Sequence, residues 1–237
     1  MKIKNFNLSN FKRMFLGAKK QRFFINEQLL RESFESCSSM SAENKRIYDT
    51  LLDSLKSTGS LPFELTSPEI NFLQTNDISV WCDYLIYRYK FKVYPKIKKV
   101  SNFPVYLLIE PVSACNLRCK MCFQIDKTFT KKPYMGVMAL DFFKKIIDEA
   151  AAGGTKAITL ASRGEPTMNK NFSDMIKYTN GKFYEVKINT NGTRLTEEHC
   201  HAILSSGVTE MCFSIDAEKK ELYEKIRVRG KPMEYLR

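Results

Sequence analysis

From residue 104 the chain alternates short apolar runs with amphipathic stretches. Val105-Tyr-Leu-Leu-Ile109 is rich in strand formers and ends at Glu110-Pro111. Leu140–Ala151 has its apolar residues at helical spacing and meets Gly153-Gly154, which predicts a helix and its stop. The same alternation predicts strands at Lys156–Ala161, Tyr184–Ile188 and Val208–Ile215, and helices at Phe172–Thr179, Thr196–Ser205 and Glu218–Ile226. Strands alternating with helices imply parallel strands joined by crossovers. The reading is therefore an α/β fold over residues 101–237, a parallel sheet built from about four βα units.

The first hundred residues have a different texture and predict a small helical region ending in a linker. Residues 1 to about 30 interleave Lys and Arg with Phe6, Phe11, Met14, Phe15, Leu16, Phe23 and Phe24. A helix packing these aromatics on its own protein is preferred to one lying on a membrane. Ile47, Leu51, Leu52 and Leu55 mark a helix over 42–57. Ser67-Pro68 starts the next, and Asp77 is read as the cap of a third. Lys92–Asn102, broken by Pro95, reads as the linker.

In parallel α/β folds ligands gather at the C-terminal ends of the strands. Four unusual clusters fall there: the loop after Glu110, then Arg163-Gly164-Glu165-Pro166, Asn189-Thr190-Asn191-Gly192, and Ser214-Ile-Asp216-Ala217. Four clusters in register at one end of one sheet make a site.

The loop after the first strand carries Cys115, Cys119 and Cys122, a C-x-x-x-C-x-x-C spacing. Thiolate is the soft ligand of iron–sulfur clusters and zinc, and a short loop with this spacing can turn three of them onto one centre. Three ligands hold three corners of a four-iron cube and leave one iron open to a ligand. Zinc would want a fourth Cys or His. The two histidines, His199 and His201, flank Cys200 on the predicted third helix and reach the loop only if that helix folds over it. Cys82 and Cys212 stand in apolar contexts and are expected to be buried; Cys37 has no assigned role.

Composition narrows the class. The 237 residues are 43% hydrophobic and 27% charged, the profile of a water-soluble globular chain. The N-terminus lacks a signal peptide's apolar core, and no apolar run approaches the roughly 20 residues of a membrane span, so a cytoplasmic protein is expected. A net charge of +12 raises the question of nucleic acid. The lysine pairs 19–20, 98–99 and 131–132 are dispersed instead of forming one stripe, so nucleic acid is not the expected partner.

Glu110-Pro-Val-Ser-Ala-Cys-Asn-Leu-Arg-Cys-Lys-Met-Cys-Phe123 resembles the signature of the radical S-adenosylmethionine (radical SAM) enzymes, in the branch associated with SPASM auxiliary-cluster domains. The resemblance runs from about Pro104 to the end of the chain. It implies a partial TIM barrel, a [4Fe–4S] cluster on Cys115, Cys119 and Cys122, and SAM as second cofactor. Members usually have an aromatic residue where Met121 stands; methionine is flexible and polarizable enough to cover an adenine.

Gly164, Glu165 and Pro166 resemble the element that binds the SAM amino group, with Arg163 in place of its first glycine and open to facing the substrate. Thr190 and Asn191 match the ribose-side element. Ser214 and Asp216 resemble the end of the fourth strand, where a serine helps hold the SAM carboxylate. Arg227 is a candidate partner for that carboxylate. Such barrels have six units; four are found before Arg237, so the sequence reads as truncated, with an open sheet edge that the N-terminal helices or a second copy would cover.

The resemblance implies a 5′-deoxyadenosyl radical abstracting hydrogen from a peptide or small metabolite such as a sugar, and an electron donor such as flavodoxin or ferredoxin. The alternatives are a non-catalytic iron–sulfur or zinc scaffold, and an RNA-modifying enzyme.

Overall fold

The computed structural model describes residues 25–35 and 40–229. The aromatic-rich stretch before Ile25 and Cys37 lie outside the described residues. The rest forms two compact units, one up to Tyr89 and one from Lys90.

The first unit is helical. It contains α1 (Glu27–Glu35), α2 (Ala42–Thr58), α3 (Ser67–Thr75) and the start of α4 (Trp81–Val93). Its core is Leu30, Leu51, Leu73 and Leu85, all fully buried. Ser41 caps α2 by accepting from the Asn44 N–H at 3.2 Å. Asp77 caps a short 3₁₀ turn, accepting from Ser79 at 2.9 Å, and not α4 itself. Arg88 and Glu69 form a buried ion pair, and Arg88 also donates to the Tyr87 hydroxyl. α4 runs to Val93, past the predicted start of the linker, because no breaker precedes Pro95.

The second unit alternates β1 (Tyr106–Ile109), α5 (Leu140–Ala152), β2 (Ala157–Leu160), α6 (Phe172–Thr179), β3 (Glu185–Thr190), α7 (Glu197–Ser205), β4 (Glu210–Phe213) and α8 (Lys220–Ile226). The four strands form one parallel sheet in the order β1-β2-β3-β4. One face carries Ile109, Ile158, Leu160, Val186 and Ile188. These pack with Phe143 and Ile147 of α5, Phe172, Met175 and Ile176 of α6, and Ile203 of α7 in a single core. The 3, 4 and 7 spacings that predicted these helices are the ones that aim their side chains at the sheet.

The opposite face is polar at its far side. Lys187 and Asn189 of β3 stand there beside Glu210 and Cys212 of β4, and the Lys187 Nζ–Glu210 Oε1 pair measures 2.6 Å. Strand period 2 fixes this division.

Cys82 is buried as expected, but Cys212 is exposed. Its apolar neighbours Met211 and Phe213 point to the other side of the sheet from it, and among the described residues β4 lies at the end of the strand order, so the apolar context does not enclose it. β4 is also shorter than the predicted 208–215, since its ladder with β3 spans Glu210–Phe213. No helix among the described residues is long and apolar enough to cross a membrane.

Candidate active site

All four strand-end clusters meet at the C-terminal edge of the sheet, and they are tied to one another. The cysteine loop is anchored first. Met138 N donates to Pro111 O at 2.9 Å and Ser113 N to Gly136 O at 3.0 Å, so residues 136–138 run alongside the start of the loop. Fully buried Asn169 donates through Nδ2 to both Pro111 O (2.8 Å) and Met138 O (3.0 Å). Gln124, buried just after Cys122, bridges Ser113 O at 2.7 Å and Arg163 O at 2.6 Å. Arg118 Nη1 staples the loop internally, reaching the carbonyls of Cys115 and Leu117.

The second cluster packs directly on the first. A Cβ on Gly164 would lie 1.7 Å from Val112 O and 2.8 Å from Ala114 O. Only glycine lets the two backbones approach this closely. The Glu165 N–H completes the join by donating to Ala114 O at 2.9 Å. Two residues upstream of Gly164, Ser162 has φ +107°, a conformation that costs a side-chain-bearing residue about 1–3 kcal/mol.

Arg163 does not point to open space. Its Nε and backbone N–H bind Glu110 Oε2 at 3.0 and 2.8 Å, and Nη2 binds Oε1 at 2.7 Å. Burial pushes the Glu110 carboxyl up. The Arg163 donors, with Ser113 and the guanidinium charge, more than offset this and hold it below its ordinary value. A carboxylate with a depressed folded pKa stabilises the fold above its unfolded value and loses that contribution as pH falls through the folded one. Arg163→Ala is therefore expected to lower the melting temperature by a few degrees at pH 7, with the difference from wild type closing as pH falls through the lowered pKa of Glu110. Thermal melts across pH 3–8 check this; a difference that does not depend on pH would contradict it.

Glu165 is 2% exposed. Its Oε1 accepts from the Thr167 hydroxyl (2.7 Å), the Thr167 N–H (3.3 Å) and the Thr190 hydroxyl (2.6 Å). Its Oε2 accepts from the Asn191 N–H at 2.7 Å. The carboxylate thus locks the end of β2 to the end of β3. Thr190 and Asn191 are themselves buried. Asn191 Nδ2 binds Asn116 Oδ1 at 3.0 Å and lies 3.8 Å from Cys115 Sγ. Asn116 in turn donates to the Thr193 hydroxyl at 2.7 Å. Pro166 is buried at the start of a 3₁₀ turn.

The fourth cluster closes the arrangement. Ser214 continues the strand ladder by one bond, its N–H reaching Thr190 O at 2.9 Å, and its side chain is half-buried. Asp216 forms an ion pair with Arg227, and Arg227 Nη1 lies 3.4 Å from Cys119 Sγ. Arg227 is thus neither a solvated helix charge nor a cation without partners. Met121 is 59% exposed beside the half-buried Cys122.

Gln124, Asn116 and Asn169 carry this framework and are not marked by the motifs. Their signal in the sequence is weak: each is an amide within three residues of a cysteine or of the Gly-Glu-Pro turn.

The donor set fits an iron–sulfur cluster. Three thiols share one loop, and the Cys119 and Cys122 charges act on Cys115, whose thiol is pushed up mainly by burial. Each of two sulfurs has N–H donors: Leu117 N at 3.4 Å and Asn191 Nδ2 for Cys115, and Arg227 for Cys119. N–H···S contacts of this kind are the usual outer shell of cluster thiolates. Among the described residues no three His, Cys, Asp or Glu side chains converge as ligands of a single ion. A cube takes each thiolate at a different iron and does not need such convergence. His199 instead caps α7 with Thr196, and His201 sits near Glu197 on the surface of the same helix.

The profile of the radical SAM superfamily matches residues 109–237. The chain belongs to the radical SAM superfamily. That family uses a [4Fe–4S] cluster and SAM, and this chain is a radical SAM enzyme domain with a SPASM-type cysteine signature. Over 112 residues it is 38% identical to the tungsten-containing aldehyde ferredoxin oxidoreductase cofactor-modifying protein of Pyrococcus furiosus, covering 47% of this chain and 30% of that one. Over 128 residues it is 30% identical to the AdoMet-dependent heme synthase of Methanosarcina barkeri, covering 54% and 36%. Streptococcus suis SuiB bound to S-adenosylmethionine is similar with a TM-score of 0.46 at 18% identity, covering 77% and 38%. The radical SAM chain thus spans about a third of the length of the curated relatives it matches.

Proposed function

We propose that this chain generates a 5′-deoxyadenosyl radical for hydrogen abstraction from a peptide or a small metabolite. The observation that carries the reading is the cysteine loop: three thiols, two of them with N–H donors already at their sulfurs, at the C-terminal edge of a parallel sheet. Cys115, Cys119 and Cys122 would hold three irons of a [4Fe–4S] cluster. With SAM, that cluster supplies one-electron cleavage of the sulfur–carbon bond and the radical that follows.

The chain's own residues orient and enclose. Gly164, Glu165, Pro166, Thr190 and Asn191 fix the two loops that flank the thiols, so their part is positioning. Ser214, half-buried at the end of β4, offers a hydroxyl to the SAM carboxylate, and exposed Met121 is free to cover the adenine. Asn189 Oδ1 is buried on the polar sheet face without a hydrogen-bond partner, and it suits an N–H or O–H of a polar substrate. The names of the relatives support both substrate classes: a cofactor-modifying protein and a heme synthase on one side, a mycofactocin maturase and a sulfatase-maturating enzyme on the other. A flavodoxin or ferredoxin would deliver the electron.

The test is anaerobic reconstitution with iron and sulfide, followed by EPR of the reduced protein with and without SAM and assay of 5′-deoxyadenosine. The expected result is a cubane signal that shifts with SAM, with the product formed; all three are lost in the Cys115/Cys119/Cys122→Ala variant. A cluster that ignores SAM and yields no product would overturn the reading for this chain by itself, meaning either that further strands are needed to hold SAM or that the chain is a non-catalytic scaffold.

A further inference from the structure

Among the described side chains, Cys119 is the thiol with a guanidinium beside its sulfur. Arg227 Nη1 is 3.4 Å from Cys119 Sγ, while the same guanidinium pairs with Asp216 Oδ2. Cys119 is itself the buried member of the three. The Arg227 side chain is only 15% exposed, so water screens the contact weakly.

The backbone around Arg227 is fixed as well. Arg118 N donates to Val228 O at 2.9 Å and Lys120 N to Ile226 O at 3.1 Å. The residues on either side of Cys119 are thus hydrogen-bonded to the residues on either side of Arg227. A third bond, Arg227 N to Tyr223 O at 2.7 Å, ties the residue back to α8. The guanidinium reaches the sulfur from a clamp whose two rungs straddle both residues.

We infer that Arg227 is a positioning residue that sets the reduction potential of the cluster held by Cys119, and that Asp216 is its counterweight. The inference rests on the cluster reading above. Reduction adds one negative charge to the cluster. A cation and an N–H donor at a ligand sulfur stabilise the reduced form more than the oxidised form and raise the potential. The Asp216 carboxylate on the other side of the guanidinium offsets part of that field. The two residues therefore act with opposite signs, which a purely structural brace does not.

The experiment is a redox titration of the reconstituted full chain without SAM, followed by EPR, on wild type, Arg227→Met and Asp216→Asn. Arg227→Met is expected to move the midpoint negative, lowering the reduced-to-oxidised ratio at fixed poise about tenfold, or 59 mV for one electron. Asp216→Asn, with the guanidinium still in place, is expected to move it positive. Midpoints that stay at the wild-type value, or that shift in the same direction in both variants, overturn the role. If Arg227→Met does not retain iron, Asp216→Asn decides alone: a positive shift supports the role and an unchanged or negative one overturns it. Wild-type protein that takes up no iron would overturn the cluster reading itself, and this role with it.

Discussion

Gly164→Ala is expected to lower the melting temperature by about 10 °C and to reduce iron uptake on reconstitution. The new Cβ would fall 1.7 Å from Val112 O, 2.7 Å from Val112 C and 2.8 Å from Ala114 O. All three are backbone atoms of the cysteine loop and cannot swing aside as a side chain could. The loop must separate from the Arg163–Glu165 turn. The bond from Glu165 N to Ala114 O goes first, and the two that Gln124 makes to Ser113 O and Arg163 O follow. Overpacking costs about 1–3 kcal/mol and each of the three lost bonds about 1 kcal/mol; the sum is about 4–6 kcal/mol, and because the coupled losses overlap roughly 3–5 kcal/mol is expected. At ~2–4 °C per kcal/mol for a chain of this size the shift is about 10 °C. Cys115 follows Ala114 directly, so displacement of the loop is read in iron stoichiometry as well as in the melt. Gly136→Ala is the control: nothing lies within 4 Å of its Cβ, and the substitution should be near neutral. If both alanines melt alike, the packing account of Gly164 is wrong.

Glu165→Ala is the second large effect. The carboxylate is buried and accepts four hydrogen bonds, from Thr167 (two), Thr190 and Asn191. Its removal leaves those donors in a dry space, at about 1–3 kcal/mol for each one left unmet. Because neighbours share the loss and water can enter the gap, a total of about 4 kcal/mol is expected, not the sum. Glu165→Gln keeps the shape and the Oε1 bonds but turns an amide N–H₂ toward the Asn191 N–H, so about half of that loss is expected. Thr190→Val removes two bonds, the one to Glu165 Oε1 and the one accepted from the Gly192 N–H, and should cost about 2 kcal/mol. Denaturant unfolding of the three variants checks the ranking. Glu165→Ala within 1 kcal/mol of wild type would show that the carboxylate does not brace the strand ends.

The α/β half of the chain was legible because each strand run and each helix face repeats with its own period. Ile158 and Leu160, or Phe172, Met175 and Ile176, could hardly point anywhere but into one core. The strand-end rule then brought the four clusters to one edge before any contact was known. What sequence position does not contain is the identity of hydrogen-bond partners. Arg163 stands where the family has a glycine and was open to facing a substrate, yet its guanidinium is spent on Glu110, which is 53 residues away. Glu165, Thr190 and Asn191 carry the expected motifs, but the Glu165 carboxylate is taken up by the Thr190 hydroxyl and the Asn191 N–H. Cys212 was misjudged because apolar neighbours in a strand predict burial only when both faces are covered. Gln124, Asn116 and Asn169 were missed because a single amide has no periodicity to reveal it.

The clamp between the residues flanking Arg227 and those flanking Cys119 joins parts of the chain 108 residues apart. This has a consequence for biosynthesis. A ribosome adding about 5–20 residues per second needs roughly 5–20 s to pass from one to the other. Throughout that interval the nascent thiols of Cys115, Cys119 and Cys122 have no Arg227 beside them and no second rung to hold their loop. Iron delivered then meets an unclamped loop, whereas iron delivered after Val228 has emerged meets the finished one. The sequence distance across a pair of backbone hydrogen bonds thus sets the earliest moment at which the site can be loaded in its final form.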